Sequence, residues 1–147
     1  MTHGLAAVTV CAALSGACAT STENPVASTE TAVLSPPDGL GLQPVLTPDF
    51  STMGTTVAEQ MRDRYAALAQ MVRNADVSPA DLAGAYGEMG DLLLAARELE
   101  TAEAYYLNAR TLGPGDRRWS HLLGHVYRNQ GPLDQAVTSF KHALELD

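Results

Sequence analysis

His121 and His125 stand four residues apart, a spacing that puts two side chains on one face of an α-helix, and two imidazoles so placed can share a metal ion. The pattern supplies no evident third ligand, because His142 belongs to a later helix and points away from that face. Ser120 and His121 are the residue types of a nucleophile and its base. Neighbours on a helix point about 100° apart, however, so adjacency in the chain does not make a hydrogen-bonded pair. No glycine-rich phosphate loop, nucleophile elbow, Cys-x-x-Cys pair or His-Glu-x-x-His stretch occurs in the sequence. These residues therefore predict no catalytic group, no metal site, no cofactor and no enzyme.

The elements that would position the two histidines lie in the second part of the chain. Residues 1–50 contain no Lys or Arg and most of the prolines, whereas all 9 basic residues fall after residue 50. The second part has the composition of a folding domain; the first does not. A net charge of −8 argues against nucleic acid as a partner, since phosphate binding needs a basic face that releases counterions. No run of apolar residues is long enough to span a bilayer as a helix.

The longest apolar run, Leu5 to Leu14, has the length of a signal-peptide core, and the small residues Ser15, Gly16 and Ala17 follow it before Cys18. Leu14-Ser15-Gly16-Ala17-Cys18 resembles the lipobox of bacterial lipoproteins. That resemblance implies a signal peptide over 1–17, lipidation at Cys18, and delivery to the outer membrane, because Ala19 rather than Asp follows the cysteine. Cleavage before Cys18 would also remove Cys11 and leave no free thiol elsewhere. Ordinary cleavage near Ala17 or Ala19, and a cytoplasmic chain with an Ala-rich start, are the alternatives. Residues 18–50, rich in Ser, Thr and Pro, are expected to be a disordered linker, since they offer too little apolar surface to offset ordering entropy.

Sliding the chain against itself by 34 residues aligns Met89 with Leu123, Gly90 with Gly124, Ala102 with Ala136, Tyr106 with Phe140, Ala109 with Ala143 and Leu112 with Leu146. Small falls on small and aromatic on aromatic, the mark of stacked helical hairpins in which small residues let helices approach and aromatics fill the space between them. Ser78-Pro79 and Asp81 signal a helix start, Gly113-Pro114-Gly115 an end, and Gly131-Pro132 a turn. Upstream, Val57, Met61, Tyr65, Leu68, Met71 and Val72 recur at helical spacing, which predicts an amphipathic capping helix within 51–76.

These residues resemble the tetratricopeptide repeat family. The resemblance implies an all-α solenoid with two repeats in 77–147, one over about 83–116 and one over 117–147. The second carries Trp119, Leu123, Gly124, Tyr127, Gly131, Ala136, Phe140, Ala143 and Leu146 on or near family positions. The first departs where Leu93 replaces an aromatic and Arg97 a turn glycine. In the family the first helix of each hairpin lines a concave groove. Carried over, this gives a donor-rich partner-binding stripe of Arg118, His121, His125, Arg128 and Asn129, with Gly84, Gly87, Asp91, Leu94 and Ala95 at the corresponding positions of the first hairpin, so that the groove is basic at one end and small or apolar at the other. Such a stripe suits a peptide's carboxylates, and its histidines would strengthen that grip on acidification.

The resulting expectation is a scaffold in the bacterial envelope that binds a protein or peptide segment in its groove and reaches the membrane through a lipid anchor alone. No solvating helix follows the last hairpin, which predicts an uncovered apolar side, open to self-association or to a continuation of the protein. An interaction module of a larger envelope enzyme and a self-assembling adaptor are the alternatives.

Overall fold

The computed structural model describes residues 32–146. Two short strands, β1 (Val33–Leu34) and β2 (Val45–Leu46), pair antiparallel, with Val33 opposite Leu46 and Leu34 opposite Val45. A 3-10 turn at Phe50–Thr52 leads into five helices: α1 (Thr55–Arg73), α2 (Pro79–Ala95), α3 (Leu99–Leu112), α4 (Arg117–Gln130) and α5 (Leu133–Glu145). The fold is an all-α helical-hairpin repeat, α2 with α3 and α4 with α5, with α1 packed on α2 and α3 joining the hairpins through α4.

Local chemistry sets the helix ends. Ser78 accepts the Asp81 amide at 3.1 Å and donates its hydroxyl to the Asp81 carboxylate at 2.7 Å, with Pro79 in the first turn. This cap starts α2 at Pro79, ahead of the boundary near Ala83 drawn from the repeat register. The α4–α5 turn uses Gly131 at φ 115°, a left-handed conformation that glycine adopts freely. The α2–α3 turn needs the same hand and makes it with Arg97, at φ 67°. The missing turn glycine therefore leaves the turn intact but strained.

Two glycines govern the packing within the hairpins. A Cβ placed on Gly90 would lie 2.7 Å from the Tyr106 ring, and one on Gly124 would lie 2.5 Å from the Phe140 ring. In each hairpin the aromatic of the second helix lies directly on the backbone of the first. The hairpins join through Trp119, whose ring occupies the space above Gly87, where a Cβ would meet it at 2.2 Å. Tyr86, Met89, Leu93, Tyr105, Tyr106, Leu123 and Val126 are fully buried around these contacts, with Tyr86 and Tyr105 edge to face at 6.0 Å.

The expected disordered linker over 18–50 needs correction where the structure describes it. From Val33 to Phe50 the chain is seated on the helices, with Val45 fully buried and Leu34 nearly so. Buried Asn108 of α3 clamps the backbone of Gln43 from both sides: its oxygen accepts the Gln43 amide and its NH2 donates to the Gln43 carbonyl, each at 2.8 Å. Tyr105 donates to the Leu46 carbonyl at 3.0 Å, and the hydroxyls of Thr47 and Tyr65 meet at 2.6 Å. Phe50 then packs edge-on against Tyr65. Every one of these contacts is distant in sequence, and two-residue strands are too short to show alternation, so local composition carried no trace of the order. The expected signal peptide over 1–17, Cys18 and the linker through residue 31 lie outside the described residues.

Two measurements test these contacts. Arg97→Gly should raise stability by up to about 1 kcal/mol, the left-handed strain relieved less the entropy that glycine loses on folding; unchanged or lower stability in urea denaturation would show that the turn stores no strain. Asn108→Ala should cost about 1–3 kcal/mol, because it strands two backbone groups of Gln43. Hydrogen exchange should then speed up at residues 43–47 ahead of α4 and α5, and uniform loss of protection would count against a local clamp.

Candidate functional site

Asp116 fixes the start of α4. Its carboxylate accepts the Arg118 amide at 3.0 Å and, from the same residue, a charge-assisted fork at 2.9 Å from Nε and 2.6 Å from Nη2. This hydrogen bonding holds the Asp116 carboxyl below, and the Arg118 guanidinium above, their ordinary pKa values. The guanidinium also lies over the Trp119 ring, 4.6 Å from its centre. Arg118 is thus held in place as a fixed cationic edge at one end of the helix.

One turn further on, exposed His121 and half-buried His125 turn toward each other, Nε2 to Nε2 at 3.0 Å, with their rings 4.6 Å apart. Phe140 of α5 supports both, its ring centre 5.6 Å from that of His121 and 5.3 Å from that of His125. Partial burial, then the neighbouring charges of His121 and Arg128, hold the His125 imidazole below its ordinary pKa. Any gain of groove charge from His125 on acidification therefore comes at lower pH than a solvated histidine would give. Asn129 donates to the His125 carbonyl at 2.9 Å on its own helix, and Arg128 is exposed.

Beside this stripe is a cavity of about 670 Å3. Its polar rim comes from Asp91, Arg117, Arg118 and His121, and its floor from Leu122, Phe140, Ala143 and Leu144. The structure brings Arg118 and His121 together on this rim. His125 sits behind them on Phe140, and Arg128 and Asn129 lie further along α4, outside the cavity lining. On the first hairpin, Gly84 is open, whereas Gly87 is covered by Trp119 and lines no groove. Asp91 accepts the Tyr106 hydroxyl at 2.7 Å and brings an acid to the basic end. The rim is therefore of mixed sign over an apolar floor. Sequence reading missed Phe140 as that floor and Tyr106 as the support of Asp91, although the 34-residue register, which aligns Asp91 with His125 and Tyr106 with Phe140, held the signal.

A serine–histidine contact does occur, between Ser120 Oγ and His142 Nδ1 at 2.7 Å. Ser120 is fully buried, so this pair ties α4 to α5 inside the hairpin, away from any substrate.

Residues 120–147 match the family model described as Tetratricopeptide repeat. A tetratricopeptide repeat lies at residues 120–147. The match takes in His121, His125, Arg128, Asn129 and Phe140; the first hairpin lies outside it and shares with it the 34-residue offset and the glycine–aromatic contact. No curated protein matches the chain. Among the described residues no helix is long and apolar enough to cross a membrane.

The Asp116 cap should contribute to the acid response of the last hairpin. Its carboxyl has a folded-state pKa below the unfolded value, so its contribution is fully present above the unfolded carboxylate range, near about pH 4, and is lost as pH falls through the folded value. Asp116→Asn retains a capping side chain without that titration. Its stability should therefore decline less than that of the parent between neutral pH and about pH 3 in urea denaturation; parallel declines would remove Asp116 from the acid response.

Proposed function

We propose that the chain is a protein-binding scaffold that seats a segment of a partner on α4, with the Phe140 floor and the Arg118–His121 rim as its contact surface. A tetratricopeptide repeat is a protein–protein interaction module, and the observation that carries this reading is the open cavity beside the stripe, where a fixed guanidinium and an imidazole border a broad apolar floor. An aromatic or aliphatic side chain fits the floor while a carboxylate meets the rim. Asp91 discourages a partner that is acidic throughout, so an amphipathic segment with one or two acids suits the surface better.

In this reading the scaffold works in a bacterial envelope, held at the outer membrane by a lipid on Cys18. The support is the Leu14-to-Cys18 stretch and the confinement of both cysteines to the first 18 residues. A second reading, self-association through α5, is favoured by Leu133 and Val137, which lie outside the cavity lining and are 61% and 51% exposed.

Crosslinking capture from membranes tests both. Changing His121, His125 and Arg128 together to Ala, with Arg118 also changed in a second variant and helicity checked by circular dichroism, should abolish capture of a specific partner while leaving the chain in the membrane fraction. Cys18→Ser should release it from that fraction. If capture survives both groove variants and is lost on Val137→Glu, the binding surface is α5; if Cys18→Ser remains bound to membranes, the lipid anchor is wrong.

A further inference from the structure

Two imidazoles that hold one metal ion must bring a nitrogen lone pair from each to a common point. With metal–nitrogen bonds of about 2.0–2.1 Å, adjacent ligand positions in tetrahedral or octahedral geometry put the nitrogens roughly 2.8–3.4 Å apart. The Nε2 atoms of His121 and His125 are 3.0 Å apart, on consecutive turns of α4 and turned toward each other at the surface.

The two rings are braced on one side before any ligand arrives. Both rings lie edge-on to Phe140, which is itself seated on the backbone of Gly124, and Asn129 ties the His125 carbonyl. Without a metal, one Nε2–H donates to the other ring's Nε2, so the donor ring must move that proton to Nδ1 before both lone pairs can turn outward. Neither ring has a carboxylate partner that would compete for this role among the contacts described, whereas His142 has its Nδ1 engaged by buried Ser120.

From this geometry we infer that His121 and His125 form a two-imidazole surface site for a borderline divalent transition-metal ion of the zinc class. Imidazole ligands select Zn2+, Ni2+ and Cu2+ over the oxygen-seeking Mg2+ and Ca2+. Among the described residues no group of three or more His, Cys, Asp or Glu is placed to hold a metal, so the ion keeps positions open to water, as in an open rather than a closed structural site. Arg128 opposes a cation here, but its side chain is exposed and can extend into solvent, where salt screens it. The site shares His121 with the scaffold surface but does not rest on that proposal, since it requires no partner.

The test is a titration of the full chain with Zn2+ alone, followed by NMR of the histidine ring nitrogens. Because that readout separates each histidine, binding elsewhere on the chain does not enter it. The Nε2 signals of His121 and His125 should move together with one midpoint, His142 should stay in place, and excess Mg2+ should reproduce none of this. His121→Ala, at an exposed position, should raise the zinc midpoint read at His125 at least about tenfold, since loss of an outer-shell partner alone costs 10–100-fold and loss of a direct ligand no less. Separate midpoints for the two rings, no movement at excess zinc, or a His125 midpoint unchanged by His121→Ala would each overturn the site.

Discussion

The structure depends on a repeated contact between an aromatic ring and a bare stretch of helix backbone. Gly90 under Tyr106 and Gly124 under Phe140 let the two helices of each hairpin approach to a distance that even an alanine would forbid. Within this contact the aromatic ring loses its water and the helices gain dense packing, but only one register between them is allowed. The third such contact, Gly87 under Trp119, fixes the spacing between hairpins in the same way. Any larger residue at these glycines would have to displace an aromatic ring, and with it the surface that the ring supports.

That support links core to surface. Tyr106 is fully buried, yet its hydroxyl reaches Asp91 at the rim of the cavity; burial, followed by that hydrogen bond, pushes the phenol's pKa well up and keeps it a donor. Phe140 has no hydroxyl, and its ring instead carries His121 and His125. The groove face of each hairpin thus carries what its packing aromatic supports: Asp91 in the first hairpin and the two imidazoles in the second.

Legibility in the sequence followed the range of the interaction. Gly90, Gly124, Tyr106 and Phe140 were readable because a repeat writes the same contact twice. Ser78, Pro79 and Gly131 were readable because caps and turns are local. The seating of residues 33–50 was not, because Asn108, Tyr105 and Tyr65 hold backbone carbonyls, amides and hydroxyls that carry no pattern of their own. Gly87 was read as a groove residue because it falls on the inward stripe of α2, and only the placement of Trp119 shows that the position is filled. At the site, the histidine spacing gave a shared face but not the direction of the rings, which Phe140 decides.

The two hairpins share their glycine–aromatic contacts and differ on the outward face of their first helices. At equivalent positions Gly84 corresponds to Arg118, Gly87 to His121 and Asp91 to His125, while Gly90 and Gly124 are identical. The second hairpin thus places an arginine and two histidines where the first has two glycines and an acid. Burial cannot explain them, since Arg118 and His121 are exposed and His125 only partly covered. The first hairpin uses its small residues to receive Trp119 of its neighbour, and the second has exchanged that receiving surface for one rich in donors and imidazoles. Its departures from the repeat, rather than the repeat itself, are therefore where recognition by this chain should be sought.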